Sequence, residues 1–259
     1  MVFYFTATGN CLYVARELDE ELVSISHESL GRNYAAESIG VVCPIYAHEV
    51  PPHIKEFLQA ATFDTKYFYM VLTYGFCQGG ATVRIKEFME GQGKRLDYVN
   101  VLKMVDNALP AFDIEEELRI DPEKKVDEHL AAIKEDIAKR RPFIAQPTAW
   151  DIEFHEQLLQ APFTLDPEKD FRAKSAEMYQ ITDSCIGCGI CSKVCPRGCI
   201  KIEDKRAHQN MKRCVACLAC IHACPQKAIQ FTFPEKNPHA RYRNPHVSLK
   251  DIIAANCQI

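Results

Sequence analysis

The sequence predicts an α/β fold: a doubly wound, five-stranded parallel sheet followed by a small, cysteine-rich α+β domain. Three observations predict it. Short apolar runs alternate with amphipathic stretches up to about residue 143, and prolines and polar residues then interrupt the pattern over 144–178. Beyond that, nine of the thirteen cysteines crowd between Cys185 and Cys224.

The strands come first. Val2 to Phe5, Ile39 to Tyr46, Tyr67 to Thr73 and Val99 to Met104 are rich in Val, Ile, Tyr and Phe without polar alternation. That is how strands covered on both faces of a parallel sheet read. A short run from Glu21 to Ser26 supplies the remaining strand. Between them Leu12, Ala15, Leu18 and Leu22 recur at helical steps. Ile54, Leu58 and Ala61 do the same after Pro51-Pro52, a start that suits a first helical turn. The segment DPEKKVDEHLAAIKEDIAKRR (121–141) opens on Asp-Pro, ends on basic residues before Pro142, and predicts one long helix aligned with its dipole. Pro147, Pro162, Pro167 and the polar DPEKDFRAKS mark a connector. One or two short helices are expected there, one of them over Trp150 to Gln160, with Trp150 packed into a domain interface.

At 259 residues and 47% hydrophobic content the chain is large enough to bury a real core. A net charge of −4 and a pI near 6.2, with charges well mixed, argue against nucleic acid or an anionic membrane as partner. No run reaches the roughly 18–20 apolar residues of a membrane span. The start, Met-Val-Phe-Tyr-Phe, lacks the basic region of a signal peptide. A cytoplasmic protein is expected, and there the cysteines read as metal ligands rather than disulfides.

Those cysteines form an internal repeat. CIGCGICSKVCP (185–196) and CVACLACIHACP (214–225) share the frame C-x2-C-x2-C-x3-C-P at an offset of 29. The match continues, with Cys199-Ile200-x-Ile202 aligned on Ala228-Ile229-x-Phe231, so each half ends in a short apolar strand. Three thiolates at a spacing of three can wrap one corner of a cuboidal cluster, while the fourth points elsewhere and the proline stops the turn. In the two-cluster arrangement that fourth cysteine ligates the opposite cluster. One 4Fe-4S cluster is therefore assigned to Cys185, Cys188, Cys191 and Cys224. The other is assigned to Cys214, Cys217, Cys220 and Cys195. Two zinc sites are the alternative, since zinc also accepts four thiolates. Cys199, opposite Ala228, is read as a small buried side chain. Gly187, Gly189, Ala216 and Ala219 are read as small residues that let backbone amides approach the cluster sulfurs.

At the other end stands Thr6-Ala7-Thr8-Gly9-Asn10, after an apolar run and before a helix. Such a loop offers backbone N–H groups, hydroxyls and the positive end of a helix to an anion. It has neither the lysine of a Walker loop nor GxGxxG, so it suits a single terminal phosphate, as in a mononucleotide; plain helix capping is the alternative. A doubly wound sheet brings CPIYAHEVPP (43–52) and TYGFCQGG (73–80) to the same edge. Their aromatic and backbone-exposing residues, Tyr46, Tyr74, Phe76, Gly75 and Gly79, would suit a flat isoalloxazine ring. Alternatively Tyr46 and Tyr74 are strand-end core residues.

The first 143 residues resemble a flavodoxin, with TATGN in place of its phosphate loop, and the cysteine region resembles a bacterial 2[4Fe-4S] ferredoxin. Nearly the whole chain is similar to the ferrodoxin family, in which a flavodoxin domain is fused ahead of such a ferredoxin. The resemblance implies a flavodoxin-like domain over 1–143, a connector over 144–178, a 2[4Fe-4S] ferredoxin domain over 179–233 and a tail over 234–259. It implies FMN, with Thr6, Ala7, Thr8, Gly9, Asn10 and Cys11 around the phosphate. Pro44, Ile45, Tyr46, Ala47 and His48, with Thr73, Tyr74, Gly75, Phe76 and Gly79, would surround the ring. Cys11 stands where flavodoxins usually have Ser or Thr. The tail RYRNPHVSLKDIIAAN also resembles that family's ending and is expected to fold back with Ile252 and Ile253 covering apolar surface.

Cys11, Cys43 and Cys77 fall on the three presumed flavin loops, either as a redox-active set or as small buried hydrophobes. His48 is either a proton or hydrogen-bond donor to reduced flavin or a solvent-facing loop residue. Since FMN takes one or two electrons and each cluster moves one, the expected function is electron transfer between FMN, two clusters and a redox partner protein. Roughly −2 for each cluster with its thiolates and about −2 for the phosphate bring the loaded chain to roughly −10, which favours a basic partner. The rivals are a flavin-dependent reductase of a small molecule fed through the clusters, and a redox or iron sensor. Oligomeric state is left open.

Overall fold

A computed structural model describes residues 1–27, 31–160 and 178–257. The N-terminal region holds a parallel sheet of six strands: β1 (Val2–Tyr4), β2 (Leu22–Ser24), β4 (Ser38–Pro44), β6 (Tyr67–Tyr74), β7 (Tyr98–Lys103) and β8 (Phe143–Ile144). Their order is β2-β1-β4-β6-β7-β8, all parallel. In register, Phe3 faces Val41, Val41 faces Met70 and Met70 faces Val99. Strands β4 and β6 are buried almost throughout, because helices cover both faces.

Alternate residues feed two cores. Val2, Tyr4, Val42, Tyr69 and Val71 pack with helices α1 (Asn10–Leu18) and α5 (Val126–Ala138), through Leu12, Val14, Leu130 and Ile133. Phe3, Phe5, Val41, Met70 and Leu72 pack with α2 (Pro52–Ala60) and α3 (Ala81–Gly91), through Ile54, Leu58, Ile85 and Met89. The winding reverses between β1 and β4, which opens the crevice where such sheets bind ligands.

Three differences from the sequence reading concern short or bent elements. The sixth strand is two residues long and joins β7 only through Tyr98–Phe143 and Val99–Ile144, too short for a hydrophobic pattern. A second parallel pair, β3 (Asn33–Ala35) with β5 (Thr62–Asp64), lies outside the main sheet. The long helix over 121–141 is broken. A 3-10 turn, Asp121–Lys124, ends at Lys125 with φ +48 before α5 begins. Lys124 is buried and reaches back 2.7 Å to Glu117 on α4 (Ile114–Ile120), so the first turn is tied to another helix.

Helix α6 (Ala149–Gln160) follows β8. Trp150 is 47% exposed, packing edge-on to Phe76 and flat on Phe154, and is not enclosed in an interface. Pro162, Pro167 and DPEKDFRAKS lie outside the described residues.

The cysteine region has two-fold character. Strand β9 (Tyr179–Ile181) pairs antiparallel with β12 (Ile229–Phe231), and β10 (Ile200–Glu203) with β11 (Arg206–Gln209). Each repeat contributes one short helix, α7 (Ile190–Lys193) and α8 (Ala219–Ala223). Its core, Tyr179, Ile200, Ile221, Ile229 and Phe231, is continuous with Val105, Leu109 and Ile114 of the N-terminal half and with Tyr242 of the tail. The tail ends in α9 (Leu249–Asn256), started by a capping box of Ser248 and Asp251. Ile252 and Ala255 pack with Val194 and Ala219, and Ile253 flanks them. Among the described residues no helix is long and apolar enough to cross a membrane.

Candidate functional site

The loop from β1 to α1 turns at Gly9, φ +108, whose N–H is 3.2 Å from Thr6 Oγ1. Thr8 Oγ1 accepts from Asn107 Nδ2 at 2.8 Å. The Asn10 side chain is committed largely within the chain. Its Oδ1 accepts from Tyr242 Oη at 2.7 Å and from Asn244 Nδ2 at 3.1 Å, and its Nδ2 donates to Val105 O at 3.4 Å. The Asn10 side-chain carbonyl oxygen is thus fully used, and one N–H of its amide is left for a ligand.

Beside this loop lies a cavity of about 570 Å³, within the range of cofactor sites. Thr6, Ala7, Thr8, Asn10 and Cys11 line one end; Pro44 to Glu49 and Thr73 to Cys77 line its length. Of the sequence candidates, Gly9 and Gly79 are not on its wall. Gly9 lies under Asn244 and Val247 of the tail. Gly79 lies under His48, where any Cβ would come within 2.3 Å of the His48 Cβ, so only glycine fits.

Residues outside the three sheet-edge loops also line the cavity: Val105 to Ala108 and Pro110 to Phe112 after β7, Phe154 and Leu158 of α6, Cys214 to Leu218 of the second cysteine frame, and Met178, Tyr179, Phe231 and Phe233 at the β9–β12 pair. The first was findable: β7 is a central strand, so its C-terminal loop must reach the same edge. Asp106 in that loop lies against Gly75, and burial pushes its carboxyl up to about 6 despite the N–H it receives from Ala108 at 3.0 Å.

The turn at Tyr46–Glu49 is strained. Tyr46 and Glu49 exchange both backbone hydrogen bonds at 2.9 Å, with Ala47 at φ +47 and His48 at φ +65 between them. Two positive φ values define a type I′ turn, where Asn-Gly is usual. Strain of about 1–3 kcal/mol per such residue persists only where surrounding contacts enforce it. Here Arg84 binds His48 O at 2.5 Å and pairs with Glu49, which also holds Lys55 at 2.7 Å. Burial raises the Tyr46 phenol well above its ordinary range, and the nearby Cys217 adds to the rise.

The three thiols on these loops are separately housed. Cys11 Sγ is 3.1 Å from Thr73 Oγ1, with its pKa pushed up to about 12 by burial. Cys43 is fully buried in the core, and Cys77 is 3.3 Å from Asp151 Oδ1.

In the cysteine repeat the backbone repeats as well. Gly187 and Gly189 have φ +64 and +78, and Ala216 and Leu218, 29 positions on, have +45 and +62. Gly198 at +61 is likewise matched by Lys227 at +49. Leu218, rather than Ala219, is thus the counterpart of Gly189. Alternating left- and right-handed residues turn successive N–H groups toward one point, a nest suited to an anionic group such as an iron–sulfur cluster. Residues with a side chain adopt it in the second repeat, so the loop shape is enforced rather than permitted. Cys195 Sγ accepts from Cys199 N and Cys224 Sγ from Ala228 N, each at 3.2 Å, and Cys214 Sγ accepts from Ala216 N at 3.3 Å. Such bonds stabilise a thiolate and tune a cluster's potential.

The thiols sort by proximity. Cys191, raised to about 11 by burial, also feels Cys224, Cys188 and Cys185. Cys217, raised to about 12 by burial, feels Cys195, and Cys220 feels Cys217, Cys195 and Cys191. Cys199 stands among the second group, beside Cys195, Cys214 and Cys217. Buried thiols ionise only beside positive charge, which bound iron supplies. Among the described residues no group of three His, Cys, Asp or Glu side chains is gathered closely enough to hold a single ion. The all-sulfur donor set and the amide nests fit the cluster.

Residues 177–238 match the family of the 4Fe-4S dicluster domain. This region is a ferredoxin-type domain, which fits a role in electron transfer. No curated protein matches the chain. Among solved structures it is similar to a putative flavoprotein from Bacteroides uniformis, at 16% identity and a TM-score of 0.33, covering 46% of this chain and 94% of that one. It is also similar to rubredoxin oxygen:oxidoreductase from the anaerobe Desulfovibrio gigas, at 16% identity and a TM-score of 0.31, covering 51% of this chain and 35% of that one.

Proposed function

We propose that the chain is an electron-transfer flavo-iron–sulfur protein, with FMN in the cavity and two 4Fe-4S clusters in the cysteine repeat. The observation that carries this reading is the shared wall: opposite the sheet-edge loops, Cys214 to Leu218 close the cavity. The domains on this reading are 1–143 for FMN, 144–178 as connector, 179–233 for the clusters and 234–259 as a tail over both. Thr6, Ala7, Thr8, Asn10 and Cys11 hold the phosphate, on a loop turned by Gly9. Pro44 to His48 and Thr73 to Phe76 enclose the ring. When bound, these groups supply one- and two-electron chemistry.

The chain's own residues set the route. Cys214 and Cys217 stand on the cavity wall, whereas Cys185, Cys188, Cys191 and Cys224 do not. The cluster of Cys214, Cys217, Cys220 and Cys195 is therefore the near one. The other, with Cys188 exposed, is the outer one, where a redox partner protein docks. The thiols require a reducing compartment, the cytoplasm on this reading.

One observation favours a second reading. Phe76 lines the cavity and is 42% exposed, so the mouth opens to solvent and a small acceptor could enter to be reduced. Anaerobic turnover of a small molecule with reduced ferredoxin alone would support that reading, and dependence on a protein acceptor the first.

The decisive test is composition. Protein purified without oxygen should release about eight iron, about eight acid-labile sulfide and about one FMN per chain. A colourless preparation, or one holding zinc, overturns the reading.

A further inference from the structure

We propose that His48 and His155 form a two-imidazole proton relay between the cavity and solvent, delivering protons to the group reduced there. The proposal rests on the reading of the cavity as a flavin site.

The geometry is directional. His48 is 7% exposed and lines the cavity. Its Nδ1 lies 3.2 Å from Nδ1 of His155 on α6. His155 is not on the cavity wall and is only half-buried, so it stands on the solvent side of the pair. The arrangement is held on several sides. His48 sits on Gly79, which admits no side chain, and its ring is 5.5 Å from that of Phe154. Its backbone is fixed by Arg84 within the strained turn.

Two Nδ1 atoms in hydrogen-bond contact share a single proton, so one imidazole donates to the other. With His155 donating, His48 keeps its own proton on Nε2. His48 then gives up that Nε2 proton to the cavity, takes the Nδ1 proton of His155, and His155 takes a proton from water at its Nε2. At each imidazole one N–H bond breaks and one forms, and the net change is one proton moved from solvent to the cavity. The accompanying electron comes from the near cluster. An added electron in an apolar cavity is costly until a proton neutralises it, which gives the relay its purpose.

The charged groups facing the pair are Arg84 and Glu49, Lys55 beside Glu49, and Asp151 and Glu156 of α6. Burial first, then His155 and Arg84, hold His48 down at about 4, and burial lowers His155 as well. Both rings are uncharged at neutral pH, the state the transfer needs.

The test uses anoxic holoprotein mixed rapidly with dithionite, with bleaching of bound FMN followed across pH. His155→Ala should slow bleaching about a hundredfold, the lower end of what a positioned acid or base contributes, and free imidazole should restore the rate. His48→Gln should slow it similarly. FMN affinity of the His155→Ala apoprotein should be unchanged. Ring-nitrogen NMR of the apoprotein should show one N–H shared between the two Nδ1 atoms, and His155→Ala should move the His48 titration upward. Unchanged bleaching in both variants, or a loss in His155→Ala that imidazole does not reverse while FMN affinity is intact, overturns the relay alone. Wild-type protein that binds no FMN overturns the cofactor reading and the relay with it.

Discussion

Tyr242 donates its phenolic hydrogen to Asn10 Oδ1 at 2.7 Å, joining the tail to the first loop across 232 residues of sequence. The bond is one link of a closed ring. Asn10 leads through the loop to Thr8, whose Oγ1 accepts from Asn107; Asn107 O accepts from His222 Nε2 at 3.0 Å; and His222 Nδ1 accepts from Tyr242 N at 3.0 Å. His222 lies between Cys220 and Cys224, so the ring binds the β1–α1 loop, β7 loop, cysteine helix and tail together.

Tyr242→Phe opens that ring at one bond. Because Asn10 Oδ1 retains Asn244, the loss should be that of an ordinary hydrogen bond, about 0.5–1.5 kcal/mol in a urea titration of the apoprotein. FMN affinity should fall severalfold as the phosphate loop loosens, measured by fluorescence quenching.

A larger effect is expected at Lys124, 4% exposed at its side chain and 2.7 Å from Glu117. Glu117 also accepts from Asp106 N at 2.9 Å, fixing the loop that lines the cavity. Lys124→Met leaves that carboxylate buried without its cation. The cost should be about 3–5 kcal/mol, well beyond that of Tyr242→Phe in the same assay.

Cys199 stands beside Cys195, Cys214 and Cys217 and is not a ligand on the proposed assignment. Its backbone N–H bonds Cys195 Sγ, an interaction that Cys199→Ala preserves. That variant should keep about eight iron per chain, whereas Cys217→Ser should fall to about four. Iron analysis of anoxic protein distinguishes the two.

The His48 imidazole yields a pH prediction. It titrates at about 4 in the folded chain, against about 6.5 when unfolded. Between these values the unfolded chain binds a proton that the folded chain does not. Its contribution to stability is therefore lost as pH falls through that window. Denaturant midpoints of the apoprotein should drop over pH 6.5 to 4, and His48→Gln should flatten the slope.

The parts of this molecule that were readable in advance are those whose signal is local. Both cysteine frames are legible because their spacing is set within one short turn. The main strands appear as apolar runs because both their faces are covered, though their ends move by a residue or two. Val105 to Phe112 carries no motif and enters the cavity only because β7 is central. Trp150 looked like an interface residue from its size, yet packs half-exposed on Phe76 and Phe154.

By itself, then, the order of residues determined the α/β class, the repeated cysteine frame and the edge at which the three named loops meet, since periodicity and ligand spacing act over a few positions. Tertiary structure alone decided that Cys214 and Cys217 wall the cavity, that Asn10 is taken by Tyr242, and that His155 stands behind His48. Those relationships join residues tens to hundreds of positions apart, and only the packing of helices and tail against the sheet brings them within a hydrogen bond of one another.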